Sequence, residues 1–274
     1  MSHRMLTFAF GLFLIVLCSP ASALSPLLVG AESVENYSGC GCSSGNLSYC
    51  NDQTSMFMDR IDNWHTRKYL YQNSSAWNAD VVEDQLGIGG FDHFYGDTVH
   101  LLLISGHGNQ SSTTYSGFLC KNSSFNMCNY NTNQVTLGEQ SGQANSANPG
   151  KLRFLILCTC FSVDASSLAA TIWRPVFSRG RNMMYVMGYH GTSVDSETTD
   201  EVPEDFAQKA GGDGWRLKQA WLWAIEDWWA DDTGSLVTAG DTESEAINNR
   251  ENMRLTWDPN VSWPSWMAWS WHEG

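Results

Sequence analysis

Basic residues are scarce in this chain: 15 Lys and Arg stand against 29 Asp and Glu, a formal net charge of −14 at pH 7. Nucleic-acid backbones are held by clustered Lys and Arg, so the balance argues against nucleic acid as a partner. Long apolar runs are missing beyond residue 18. A bilayer-spanning helix needs about 20 apolar residues, so no membrane span is expected in the remainder. Zinc-type spacing is missing too. Cys-x-Cys occurs twice, with no paired Cys-x-x-Cys or Cys…His pattern beside it. No internal repeat is present, which removes solenoids and propellers.

What is there begins at the N-terminus. Arg4, the apolar stretch from Met5 to Cys18 and Ala21-Ser22-Ala23 make a basic n-region, a short h-region and a small-x-small cleavage signal. Residues 1–23 therefore read as a signal peptide, and the mature chain as secreted, or periplasmic or cell-surface in a bacterium. Roughly 250 residues remain, enough for one large α/β domain over 24–274 with a substantial core. The acidic excess suits an exported protein kept soluble by charge, and favours cationic ligands. The 13 tryptophans fall mostly from Trp173 onward. They read as a packed aromatic layer, with a sugar-binding platform as the sharper alternative.

Seven cysteines remain after cleavage, an odd number that leaves at least one thiol over. Export permits disulfides. Cys40, Cys42, Cys50, Cys120 and Cys128 lie in Ser-, Asn- and Gly-rich stretches and are the disulfide candidates. Local bridges such as Cys120–Cys128, and one among Cys40, Cys42 and Cys50, fit these stretches, and the sequence leaves the pairing open. Cys158 and Cys160 end an apolar run instead, and two cysteines one residue apart rarely bridge each other.

Along the chain, residues 24–53 read as polar loop and Thr54 to Tyr71 as a helix. Val99 to Ile104, Leu152 to Leu157 and Met183 to Met187 read as buried strands of parallel type, being near-continuous apolar runs bounded by turn residues. Residues 109–150 read as a polar insertion with a short edge strand near Val135 and Leu137. Ser166 to Phe177 and Trp215 to Trp229 read as helices. The Trp-rich C-terminal part is expected to pack back on the core. Strand, loop, helix, strand is the pattern of a mostly parallel sheet with right-handed crossovers.

Ligands in such sheets bind beyond the carboxyl ends of the strands. His107 follows the first run, Cys160 the second and His190 the third. A thiol attacks only as thiolate and needs a base beside it, which an imidazole supplies near neutral pH. Gly106 and Gly108 allow a tight turn around His107.

Leu101-Leu102-Leu103-Ile104-Ser105-Gly106-His107-Gly108, followed some fifty residues later by Phe154-Leu155-Ile156-Leu157-Cys158-Thr159-Cys160, resembles the caspase-like (clan CD) cysteine peptidases, the group of caspases, metacaspases, legumains, gingipains, clostripain and separase. The resemblance covers roughly residues 97–195. It implies an α/β fold, a caspase-like three-layer sandwich with a mostly parallel central sheet flanked by helices. It implies a His107–Cys160 dyad, the strand register selecting Cys160 over Cys158, with the backbone N–H groups of Gly108 and Cys160 holding the oxyanion. Thr159 stands where a small residue is usual, and Phe161-Ser162 where the family often has a Gly-containing turn. A peptide or protein substrate, a monomer and no required cofactor are the corresponding expectations.

His190-Gly191 imitates the dyad motif but follows the cysteine, so it is assigned to the pocket wall or a loop. Asp195, Glu197 and Asp200 belong to an acidic loop. That loop reads as solvated charge, as a calcium site, or, through Asp195 and Glu197, as a pocket for a basic P1 side chain. Sequons at Asn36, Asn46, Asn73, Asn109, Asn122 and Asn260 are glycan acceptors in a eukaryotic secretory pathway. Two other functions compete with the hydrolase: an inactive caspase-like binding domain, and an extracellular carbohydrate- or calcium-binding module.

Overall fold

The run Leu101-Leu102-Leu103-Ile104 divides its side chains between two cores. Leu101 and Leu103 pack with Phe57, Met58 and Trp221, whereas Leu102 and Ile104 pack with Trp173, Phe177 and Tyr115. This is the period of two expected of a strand covered on both faces. The computed structural model describes residues 26–138, 150–164, 167–180, 182–227, 232–257 and 264–272. The expected signal peptide, the later part of the insertion and Asn260 lie outside the described residues.

In chain order the elements are β1 (Leu28–Ser33), α1 (Cys50–Ile61), β2 (Thr66–Gln72), β3 (Leu101–Ser105), β4 (His107–Gln110), β5 (Tyr115–Phe118), β6 (Tyr130–Asn131), β7 (Phe154–Cys158), α2 (Ser167–Gly180), β8 (Tyr185–Tyr189), α3 (Val202–Phe206), α4 (Leu217–Asp227), β9 (Gly234–Gly240), α5 (Glu243–Asn252) and β10 (Trp266–His272). A seven-stranded sheet runs β10-β9-β8-β7-β3-β1-β2. The pairs from β2 to β8 are parallel, and β9 is antiparallel to both its neighbours. Apolar side chains of α1, α3 and α4 bury against one face, and those of α2 against the other, beside the small antiparallel sheet β4-β5-β6. The chain is thus α/β with a mostly parallel central sheet between helices.

Several expectations are corrected. Residues 24–53 contain β1, whose apolar run is broken by Glu32, a carboxyl with no solvent exposure. Burial pushes Glu32 well above the usual carboxylate range, and neighbouring Asp80 pushes it further. Asp80 itself is pushed up to about 7, chiefly by burial. The helix expected from Thr54 to Tyr71 stops at Ile61, and β2 follows as an edge strand in which charged and aromatic residues mix. Val135 and Leu137 are buried but lie outside any strand, the third strand of the small sheet being Tyr130–Asn131. The C-terminal segment returns to the core through β9, whose seven residues are all buried. No described helix is long and apolar enough to cross a membrane.

Candidate active site

Register places the two motif residues. Ser105 on β3 lies opposite Cys158 on β7. His107 and Cys160 each come two residues later, so adjacent parallel strands deliver both to the same sheet edge. Gly106 N–H donates to Cys158 O at 3.3 Å, closing the ladder at that edge. Gly108 then passes so close to the chain beyond β7 that a Cβ on it would strike Cys160 O and Thr159. The glycine is required by that close approach.

His107 is held at both its backbone and its ring. Its N–H donates to Tyr37 Oη at 2.8 Å, and Tyr37 Oη donates to Phe118 O at 2.9 Å. The two rings are 4.8 Å apart. His107 Nε2 is 2.8 Å from Gly45 O. A carbonyl only accepts, so Nε2 carries the hydrogen and the neutral ring keeps Nδ1 as its basic nitrogen.

Three free thiols line one narrow cleft of about 30 Å³: Cys50, Cys158 and Cys160, together with His107, Asp195 and Gly106. They are not equivalent. Burial pushes the Cys50 thiol up to about 12, and Cys158 higher still. Cys160 is the partly exposed one. Its Sγ accepts Ser193 N–H at 3.3 Å and lies 3.5 Å from Ser193 O. Among the described residues the Cys160 N–H has no acceptor, and no hydrogen bond joins His107 to Cys160. A shallower groove of about 330 Å³ lies on the other side of His107, walled by Ser44, Gly45, Gly108, Asn109 and Phe118.

The chain after the cysteine is strained. Phe161 has φ +53°, a region costly for a bulky residue, and its side chain is 38% exposed. Its N–H donates to Gly191 O at 2.6 Å, which holds the turn. Thr159 is buried, and its Oγ1 meets Tyr115 Oη at 2.7 Å.

The acidic loop divides. Asp195 joins the cleft, its two oxygens accepting Ser48 N–H at 2.7 Å and Tyr49 N–H at 3.0 Å just before α1. Asp232 holds the neighbouring residue by accepting Val194 N–H at 3.0 and 3.1 Å. Glu197 is exposed and outside the cleft, and Asp200 is buried, its carboxyl raised by burial and by Asp52. The oxygens of Asp195, Glu197 and Asp200 do not converge. Among the described residues, the group whose ligand atoms lie within 4.8 Å of one another is Asp84, Asp92 and His93.

His190 is not in the cleft; its Nδ1 sits 3.1 Å from Asp164 Oδ1 and its ring stacks on Trp271 at 5.8 Å. The disulfides are Cys40–Cys120 and Cys42–Cys128, spanning 80 and 86 residues, rather than local bridges. They tie the loop carrying Tyr37 and Gly45 to the insertion, and they leave Cys50 reduced. Sequence reasoning did not place Tyr37 and Gly45, which hold His107, or Cys50 and Ser193, which line the cleft, at the site. Their stretches carry no periodicity, and nothing in their spacing points to the sheet edge. Asn109 is exposed beside His107 in the shallow groove.

The sequence matches the family described as "Domain of unknown function (DUF6345)" over residues 31–272. The chain belongs to that family. No curated protein matches it. The crystal structure of protein GSU0716 from Geobacter sulfurreducens is similar at 12% identity and a TM-score of 0.47, covering 85% of this chain and 100% of that chain.

Proposed function

We propose that this family member is a secreted cysteine hydrolase of the caspase-like type, an endopeptidase in which Cys160 is the nucleophile and His107 the acid–base. The observation that carries the reading is the register that sets His107 and Cys160 two residues beyond paired positions on adjacent parallel strands, with one cleft between them.

His107 Nδ1 takes the thiol proton, and the Cys160 thiolate attacks the scissile carbonyl. The negative charge that develops on the carbonyl oxygen is held by the N–H groups of Gly108 and Cys160, the latter having no other acceptor among the described residues. Collapse breaks the C–N bond, and His107 returns the proton to the leaving amine, giving a thioester. Water, deprotonated by His107, attacks the thioester; the acid product leaves and the thiol is restored. Gly45 O supports this cycle by fixing the ring and stabilising the imidazolium through Nε2–H. Asp195 gives the cleft a negative wall and a lean toward a basic P1 side chain.

A second reading, an inactive caspase-like binding domain, is favoured by one observation: the Cys160 sulfur is engaged by Ser193 rather than by His107. Alkylation separates the two. The mature, non-reduced protein is treated with iodoacetamide at pH 6–7 and the adduct is located by mass spectrometry. Cys160 should react first, well ahead of Cys50 and Cys158, and faster than a free thiol at the same pH. An ordinary or slower rate at Cys160 sinks the hydrolase reading. A peptide-library scan of wild type against Cys160→Ala then gives the P1 preference.

A further inference from the structure

The opposite edge of the sheet carries a second, larger hollow. About 400 Å³ of space lies where β2, β3, β7 and β8 begin, lined by Lys68, His100, Lys151, Arg153, Asn182 and Asp97 among others. Along β3 this is roughly 20 Å from the His107 end, at about 3.3 Å per residue. Three of the chain's 15 Lys and Arg therefore face one cavity in a protein of net charge −14.

Five described cations elsewhere meet a carboxylate: Arg60 meets Glu204, Arg67 meets Asp59, Lys209 meets Asp213, and Lys218 and Arg250 both meet Glu251. Among the described residues no carboxylate forms an ion pair with Lys68 or Lys151. Among the described residues the Lys68 ammonium donates to Thr98 O, at 3.5 Å. Its pKa is lowered, first by partial burial and then by Lys151, so the two like charges act on each other. The carboxylate in the lining, Asp97, is buried and accepts Gly138 N–H. His93, at the rim, lies 3.4 Å from Asp84.

The frame under these side chains is fixed. Lys151 N–H donates to Asp97 O at 2.8 Å, and Arg153 N–H to His100 O at 2.9 Å. Asn182 Nδ2 donates to Gly150 O at 3.0 Å. His100 Nδ1 accepts Leu28 N–H at 2.9 Å.

We infer that this cavity is a binding site for a multiply charged oxyanion, a phosphate or sulfate group carried on a small molecule. Lys68 and Lys151 would contact the anion as point charges, on a wall braced by Arg153 Nη1 donating to Lys151 O at 3.2 Å. The site is distinct from the thiol cleft and stands whether or not that cleft is hydrolytic.

Calorimetric titration and thermal-shift measurements on the mature, disulfide-bonded chain test it. The probes are pyrophosphate, phosphate and sulfate, with sodium chloride at matched ionic strength as the reference. Saturable binding of at least one oxyanion is expected beyond the chloride effect. Comparison of the phosphate and sulfate arms assigns the source. Lys68→Gln/Lys151→Gln should weaken that binding by at least about tenfold, because two charge-assisted contacts are lost. Both side chains are exposed, so the ligand-free melting temperature should be retained; Lys151→Gln alone serves if the double variant does not fold. Cys160→Ser should bind as wild type does. No binding beyond chloride, or undiminished binding by the lysine variants, overturns the inference.

Discussion

The two edges of the central sheet present different side chains at opposite ends of the same strands. At the carboxyl edge the cleft is narrow and carries three thiols, one imidazole and the Asp195 carboxylate. At the amino edge the hollow is wide and cationic, with no thiol in its lining. The carboxyl-edge cleft is assembled from loops distant in sequence, and two disulfides fasten that side. The amino edge is braced by backbone hydrogen bonds between short lead-in segments. A nucleophile has to be positioned against a base and an oxyanion site together, so its loops must be held in several directions at once. A cation cluster has only to keep like charges near one another.

The comparison breaks most sharply at Cys160. Cys160→Ser should lower peptide hydrolysis by at least about 10³-fold while leaving the unfolding midpoint unchanged. Equal loss from Cys50→Ser would mean that the wrong thiol has been chosen. Removing both disulfides by Cys→Ser substitution at Cys40, Cys42, Cys120 and Cys128 should destabilise the chain by about 4 kcal/mol, from the loss of a cross-link closing a loop of this length. Chemical denaturation measures this, and a loss under about 1 kcal/mol would mean that the loops hold without the bridges.

An effect of similar size tests the polar core beneath β1. Asp80 has a folded-state pKa near 7, above the usual carboxylate value, so the folded chain holds its proton more tightly than the unfolded chain does. Its contribution to stability is full below about pH 4, declines as pH rises through 7, and is flat above that. Asp80→Asn should remove the decline, making the variant about 4 kcal/mol more stable than wild type at pH 8 and little changed at pH 4. Denaturation midpoints at the two pH values decide it; an unaltered pH slope would place the proton elsewhere, Glu32 being the neighbour. The smallest expected effect is none. Lys68→Gln/Lys151→Gln should leave hydrolysis of a short peptide within twofold of wild type, and a larger change would couple the two edges.

Legibility followed burial. Strands β3, β7 and β8 were readable because both faces are buried and the runs are nearly continuous in apolar residues. β1 was hidden by Glu32, and β2 by Arg67 and Lys68 on an exposed edge, where composition no longer reports the backbone state. The helix read from Thr54 to Tyr71 was half right: Phe57, Met58 and Ile61 keep helical spacing, and the mixed polar run that follows carries no sharp stop. The disulfide partners could not be read, because bridges across 80 and 86 residues depend on where loops meet in space.

By itself the sequence determined an α/β chain with a mostly parallel sheet, and the placement of His107 and Cys160 just beyond buried strands. Apolar periodicity and glycine placement act locally, so they are written along the chain. Tertiary structure alone decided which cysteines pair, that Tyr37 and Gly45 hold the imidazole, that Asp195 enters the cleft and His190 does not, and that Lys68, Lys151 and Arg153 share a cavity. Each of those depends on contacts between segments tens of residues apart, whose meeting is set by strand order and register.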